Sequence, residues 1–345
     1  MNVSEPVNPI ASIAVRLPNW LGDTVMAVPA LVAARAAWPD ARVLAAGPWA
    51  ALLAQQGLAD VLVDYPRRWS GRLRAADTVS TFAPDLAIVL PNSLESALAA
   101  WYWGARQRVG FAAGGRSALL TDAVPVPSPR PHQIDEYLML VERCGAAVTA
   151  REPVLGAPAP DSTERLEACR LLETAGAVAS PRIGVHLGAA YGPAKLWPLE
   201  RVVDFCRLLA ADGTTAILLG APGDVESAAT IIAQAPAVNL VGRDRPVLLP
   251  ALLSELDVLV SGDTGVAHLA AALGTPVVTL FGPTDPRLSA PRGPVAVLTH
   301  PVPCAPCFYR TCPIEHPCLR DLTAIAVYAQ TRMALRAAAA GEASL

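Results

Sequence analysis

Short, wholly apolar runs alternate along this chain with longer stretches whose apolar residues recur every three or four positions. Residues 13–17 read as a buried strand, and residues 24–38 carry helical apolar spacing that Pro39 and Asp40 stop. Strand-like runs recur at 42–46, 61–63, 86–90 and around Val109, with helix-compatible stretches between them. Alternation of this kind predicts a mostly parallel sheet covered by helices on both faces. Residues 149–163 break the rhythm with Pro153, Pro158, Pro160 and Gly156, and read as a linker. The pattern then restarts with a strand at 183–186, a helix at 198–211 that Gly213 ends, and strands at 216–219, 258–261 and 277–281.

The expectation is therefore an α/β chain of two doubly wound, Rossmann-like domains facing a central cleft. Residues 1–160 form the first and 161–345 the second, with the C-terminal helix a candidate to pack back on the first. Ligands bind such folds at the carboxyl ends of the strands.

Composition narrows the class. With 345 residues, 53% of them hydrophobic and 17% charged, the chain is long and apolar enough for two cores. Its 33 Pro residues are scattered between periodic runs, which is loop punctuation and not low complexity. A formal net charge of −3 gives no global attraction to nucleic acid, so an anionic partner has to be met by a local patch. No apolar run reaches the roughly 20 residues that cross a bilayer. Residues 1–9 carry Glu5 and no Lys or Arg, unlike a secretory leader, so a cytoplasmic location is expected.

Absent motifs exclude more. No two of the 24 Gly residues are spaced i, i+2, so the dinucleotide fingerprint G-x-G-x-x-G does not occur. The run from Gly110 to Ser117 has P-loop spacing, but Arg116 stands where the Lys is required, and it reads as a loop. No D-x-D occurs, the pattern with which many diphosphate-releasing enzymes hold a divalent metal.

Three segments carry candidate chemistry. Of 27 basic residues 26 are Arg and one is Lys195, in the loop 187–197 between a strand and a helix. Coding bias accounts for the Arg excess and would leave one solvated loop Lys by chance; the sharper reading is that position 195 needs a compact ammonium that a planar guanidinium does not mimic. The segment Gly262-Asp263-Thr264-Gly265 follows a strand and opens a helix, where first-turn N–H groups favour a phosphate. Thr264 and His268 share a face of that helix and are candidates for one pocket; the plainer reading makes Asp263 an N-cap and His268 an ordinary surface residue. In the first half, Asn19, Gly22 and Asp23 lie between the first strand and first helix. Asp23 is either an N-cap or a carboxylate able to take a proton from a hydroxyl.

These residues carry a resemblance. The Gly22-Asp23 loop, Gly192-Pro193-Ala194-Lys195-Leu196-Trp197-Pro198, the Gly262 to His268 segment, Gly274-Thr275-Pro276 and Phe281-Gly282-Pro283-Thr284-Asp285-Pro286 together resemble the ADP-heptose:lipopolysaccharide heptosyltransferases, glycosyltransferase family nine. The likeness runs from about residue 12 to about residue 330, and the Trp20 loop and Cys-rich tail are more similar to the branch that acts second on the inner core.

The resemblance implies a GT-B fold, an acceptor-binding first domain, an ADP-sugar-binding second domain and metal-independent inverting transfer with no cofactor. By similarity, Asp23 matches the general base, and Lys195 with the N–H groups after Gly262 would stabilise departing ADP. Asp263 would hold sugar hydroxyls, Thr264, Gly265 and His268 the diphosphate, and Asp224 the ribose. Where many relatives have hydroxyl residues after His186, this chain has Ala189 and Ala190, which implies backbone contacts there.

Two segments remain. Arg67, Arg68, Arg72 and Arg74 crowd into eight residues with aromatics nearby. They read either as a solvated loop or as a contact to a phosphorylated glycolipid acceptor and the cytoplasmic face of the inner membrane; Trp101, Tyr102 and Trp103 either extend that patch or belong to the core. Cys304, Cys307, Cys312 and Cys318 begin with a C-x2-C pair, making a structural zinc a candidate, while Cys144, Cys169 and Cys206 read as buried thiols. Besides a transferase, the pattern leaves open a sugar-nucleotide epimerase, which needs no acceptor, and a silent nucleotide-binding module.

Overall fold

The computed structural model describes residues 10–178, 180–243 and 245–341, except for the side chain of Trp69; residues 1–9, read above as lacking a leader, lie outside them. The chain divides into two compact units, Met1–Pro153 and Val154–Leu345. The division precedes the one drawn from composition because Leu155 is buried and its N–H donates to the Ala272 carbonyl at 2.8 Å, which commits the linker's second half to the second unit.

In the first unit, strands β1 (Ser12–Arg16), β2 (Arg42–Gly47), β3 (Val61–Asp64), β4 (Leu86–Val89), β5 (Gln107–Phe111) and β6 (Asp122–Val124) form one parallel sheet in the order β3-β2-β1-β4-β5-β6. β1 is wholly buried because it sits between β2 and β4, with Ile13 opposite both Val43 and Leu86. Helices α1 (Leu21–Met26), α2 (Val28–Ala37), α3 (Trp69–Phe82), α4 (Leu94–Tyr102) and α5 (Gln133–Arg143) accompany it. The single helix expected over 24–38 is broken at Ala27. Pro29 has no N–H to give the Val25 carbonyl, so the chain restarts there with Pro in the new first turn.

The second unit repeats the order. Its strands are β7 (Ile183–His186), β8 (Ala216–Leu219), β9 (Ala237–Asn239), β10 (Val258–Gly262), β11 (Val277–Phe281) and β12 (Val295–Thr299), arranged β12-β11-β10-β7-β8-β9 and all parallel. The helices are α6 (Thr163–Thr174), α7 (Leu199–Ala211), α8 (Val225–Ile232), α9 (Leu249–Ser254), α10 (Gly265–Ala272), α11 (Pro286–Ser289), α12 (Pro317–Arg320) and α13 (Ala324–Ala340). α7 buries Val202, Phe205, Cys206 and Leu209 on one stripe, and Trp197 meets Phe205 edge-on at 6.1 Å. α13 packs against α7 and β10–β12 within its own unit and buries Val327, Thr331 and Ala334.

Both sheets reverse direction of winding between their first and fourth strands, at β1/β4 and at β7/β10. The crevice outside the carboxyl ends at such a point is where an open α/β sheet accepts a ligand. Beside that point in the first unit, the segment after β4 is tied to the end of β5 by Arg116, the residue that spoiled the P-loop motif. Its fully buried guanidinium donates to Phe111 O at 2.9 Å, Asn92 Oδ1 at 3.1 Å, Ser96 Oγ at 3.0 Å and the Pro91 carbonyl, and burial lowers its pKa to about 10.

Two stability outcomes follow from these buried polar groups. Arg116→Met leaves several buried acceptors without a donor and should lower unfolding free energy by about 3 kcal/mol; a loss under about 1 kcal/mol in urea titration would contradict the brace. His186 ends β7 with its Nδ1 buried and unpartnered among the described residues, and burial lowers its pKa to about 4. The unfolded chain therefore binds the proton first, and stability should be full above pH 6.5 and fall as the pH descends toward 4. Urea midpoints at pH 7 and pH 5 test this: His186→Gln should flatten the fall, and an unchanged slope would refute the assignment.

Candidate functional site

In the second unit the switch point is flanked by the loop after β7, which carries Lys195, and by the turn after β10, which carries Gly262 and Asp263. Lys195 and Asp263 form an ion pair, with side chains only 11% and 6% exposed. The ammonium also donates to the Asp263 carbonyl at 3.2 Å and lies 4.7 Å from the centre of the Tyr191 ring. Thr284 Oγ1 donates to the same Asp263 carboxylate at 2.6 Å. A buried carboxylate costs several kcal/mol to desolvate, and this one is met by two donors that reach it from separate loops.

Asp263 thus does not cap α10, as the plainer sequence reading had it. The N-cap is Thr264, in extended conformation with no side-chain capping bond; its hydroxyl lies 3.0 Å from Ser261 Oγ. The first-turn N–H groups of a helix have no intrahelical partner, and Gly265 opens this helix without a side chain over them. Gly262 is needed for a different reason: a Cβ there would stand 2.8 Å from the Lys195 carbonyl, so only Gly lets the two loops approach.

Beside them lies a cavity of about 310 Å3, whose walls include His186, Lys195, Asp224, Ser261, Gly262 and His316. Asp224 packs edge-on against the backbone: Cβ atoms at Gly188 or Gly220 would come within 2.5 and 2.8 Å of its carboxylate. It accepts the Ala221 N–H at 2.8 Å, while burial, the larger effect, raises its pKa. Asp263, Thr264, Gly265 and His268 follow Gly262 in the chain but do not line this cavity, and His268 is buried in the first turn of α10. The structure thus brings Lys195, Asp224 and Gly262 to one cavity and ties Asp263 to it through Lys195, while Thr264, Gly265 and His268 are not among its lining residues.

Three participants carry signals that sequence reasoning did not use. Thr284 stands in the Phe281 to Pro286 motif, where no role had been given to it. Tyr191 lies four residues before Lys195 and donates its hydroxyl to the Phe308 carbonyl, with Arg310 5.2 Å from its ring centre. His316, in left-handed backbone, lines the cavity and buries an Nε2 that has no partner among the described residues.

The cysteines of that tail do not make a zinc cage. Cys304 is exposed, Cys307 and Cys312 are half-buried, and Cys318 is buried against Gly282. Cys312 Sγ accepts the His316 N–H, and no three His, Cys, Asp or Glu side chains among the described residues are arranged to hold a metal. Cys206 is buried, and Cys144 and Cys169 are half-buried; burial raises the thiols of Cys206 and Cys144 to about 12.

In the first unit the loop after β1 and the start of α4 meet across the β1/β4 point. Arg16, fully buried at the end of β1, donates to Asn19 Oδ1 at 2.9 Å, pairs with Glu95 at 3.9 Å and lies 4.5 Å from the centre of the Tyr65 ring. Burial holds its pKa down, against the pull of Glu95. Arg72 pairs with the same Glu95 at 3.5 Å, and Arg67 stacks 3.8 Å from the Trp20 ring centre. Arg68 is exposed at the N-cap of α3. Gly22 is buried and Asp23 half-buried in the first turn of α1; Trp20 is the N-cap, and Asp23 raises the pKa of buried Tyr137 after desolvation, the main cause. One polar network therefore joins Asn19, Arg16, Glu95 and Arg72, and Arg67 joins the same loop through Trp20.

The sequence model of glycosyltransferase family 9 (heptosyltransferase) matches residues 72–317. Lipopolysaccharide heptosyltransferase 2 of Escherichia coli K12 is 28% identical over 292 residues, covering 79% of this chain and 83% of its own. The solved structure of the E. coli ADP-heptose lipopolysaccharide heptosyltransferase II superposes with a TM-score of 0.77 at 25% identity, over 95% of this chain and 99% of that one. A family 9 glycosyl transferase from Veillonella parvula shares the fold at a TM-score of 0.83 and 20% identity, over 94% and 97%. Two parallel six-stranded α/β units in the GT-B manner, and a family match across most of the chain, lead to one conclusion: this chain belongs to glycosyltransferase family 9, the heptosyltransferases.

Proposed function

We propose that this enzyme moves a heptose from an ADP-heptose to a heptose of a lipopolysaccharide inner core, with inversion and without a metal, at the cytoplasmic side of the inner membrane. The carrying observation is the Lys195–Asp263 pair at the β7/β10 switch point. An ammonium has three N–H groups; Asp263 takes two through its carboxylate and carbonyl, and the third is available to a phosphate oxygen. A fixed cation beside a helix N-terminus does for a leaving diphosphate what a bound divalent ion does elsewhere.

On this reading the second unit holds the ADP-sugar. Asp224, raised in pKa by burial, faces the cavity as acceptor for ribose hydroxyls; Asp263 would present its carboxylate to the sugar, and the first turn of α10, from Thr264 and Gly265 to His268, would meet the diphosphate at the edge of the cavity. The first unit holds the glycolipid, with Asn19 and Gly22 shaping the loop and Arg67, Arg68 and Arg72 meeting its anionic groups. Asp23 takes the proton from the acceptor hydroxyl as its oxygen bonds to the anomeric carbon. The bond from that carbon to the diphosphate oxygen breaks in the same step, and ADP departs with the electron pair.

The direct test is ADP release from ADP-heptose with EDTA present, with and without a heptose-bearing core glycolipid. Acceptor-dependent release is expected; release without acceptor, or none with it, would contradict the reading. Asp23→Asn should keep ADP affinity while lowering kcat by about 10^3-fold, and substantial turnover would refute its role as base. Thr284→Val strips one donor from Asp263 and should lower kcat/KM about tenfold; wild-type kinetics would show that Thr284 does not position the carboxylate.

A further inference from the structure

α4 is turned inside out for a surface helix. One side buries Ala97 and Ala100, and Trp103 follows them into the core. The other presents Leu94, Leu98, Trp101 and Tyr102, at i, i+4, i+7 and i+8, each between 47% and 55% exposed. Isolated exposed apolar residues are ordinary, but a full helical face of them is not.

The neighbouring α3 widens this face. It is tied to α4 at two heights, by the Arg72–Glu95 pair at 3.5 Å and by the Tyr102 hydroxyl, which donates to Asp77 Oδ1 at 2.6 Å. Leu73, 69% exposed, lies between the two ties. Basic groups frame the surface: Arg68 at the N-cap of α3 and Arg74 on it are exposed, and Arg67 stacks on the half-exposed Trp20, whereas Arg106 after α4 is paired with Asp85 at 2.5 Å. The carboxylates at hand are engaged, Glu95 with Arg16 and Arg72, and Asp77 with Tyr102.

We propose that the α3–α4 face of the first unit docks on the surface of an anionic lipid bilayer. Leucines enter the boundary of the acyl chains, Trp101 and Tyr102 sit at headgroup level where rings with one polar end belong, and the arginines meet lipid phosphates. Charge complementarity selects this occupant over a second copy of the chain, since two such faces would oppose arginine to arginine. The inference rests on the proposed reading that the acceptor is a glycolipid, and it supplies the surface on which that acceptor is met.

The test uses the full chain and neither donor nor acceptor, so it stands or falls apart from transferase activity. Wild-type protein should sediment with vesicles of phosphatidylglycerol and phosphatidylethanolamine and remain in the supernatant with phosphatidylcholine alone. Leu94→Ser/Leu98→Ser/Trp101→Ser should lower the partition by more than about tenfold, Arg68→Glu/Arg74→Glu should weaken it comparably, and both should keep the wild-type unfolding midpoint. Should a variant misfold, hydrogen exchange on the wild type decides: protection gained over residues 94–102 on anionic vesicles supports docking there. Wild-type protein that ignores anionic vesicles, a triple variant that binds them equally, no protection over 94–102, or a dimer that the triple variant splits would each overturn the proposal.

Discussion

The second unit is organised around one buried ion pair. Lys195 and Asp263 come from loops 68 residues apart in sequence, after β7 and after β10, and each is nearly shut off from water. Either charge alone would be costly to bury, so the pair fixes the two loops relative to each other as the chain folds. Thr284, from the loop after β11, donates to the same carboxylate and brings a third strand end into register. Gly262 permits the approach, and Tyr191 floors the ammonium. What the crevice presents to a ligand is then set in advance: a compact cation with a donor to spare and the Asp224 carboxylate wedged against glycine backbone. Such preorganisation is how a protein stabilises a departing anion without reorganising at the moment of reaction.

The first unit solves a similar problem with arginine. Its winding also reverses between two strands whose ends must be held, and Arg16 spans the gap from β1 to the start of α4 while Arg116 pins the segment after β4 to the end of β5. The planar fork of a guanidinium reaches several acceptors at once, which suits bracing; a lone ammonium suits meeting a phosphate.

Much of this was legible in the residues. Parallel strands buried on both faces read as continuous apolar runs, so β1, β7, β8 and β11 were visible within a residue or so at their ends. β6 and β9, three residues each at sheet edges, carry too little pattern to be seen, and β12 hides behind Pro294. The break at Ala27 was missed because apolar periodicity runs through it while Pro29 removes the donor. Lys195 announced itself by composition. Thr284 did not, since a hydroxyl acquires a role only from a partner 21 residues away that the fold brings near. The cysteine spacing allowed a cage, but spacing alone does not set ligand geometry, and among the described residues no three metal-ligating side chains are arranged to hold an ion.

The account turns on Lys195 as a positioned cation for the diphosphate, and calorimetry of ADP binding in EDTA, on wild type and Lys195→Arg, tests it most directly. Arg keeps the charge and a partner for Asp263 but not the compact geometry. Wild-type protein should bind ADP without a divalent ion, and Lys195→Arg should bind at least about tenfold more weakly while binding adenosine equally well. Equal ADP affinity in the two proteins, or wild-type binding that appears only with a divalent ion, would contradict the account.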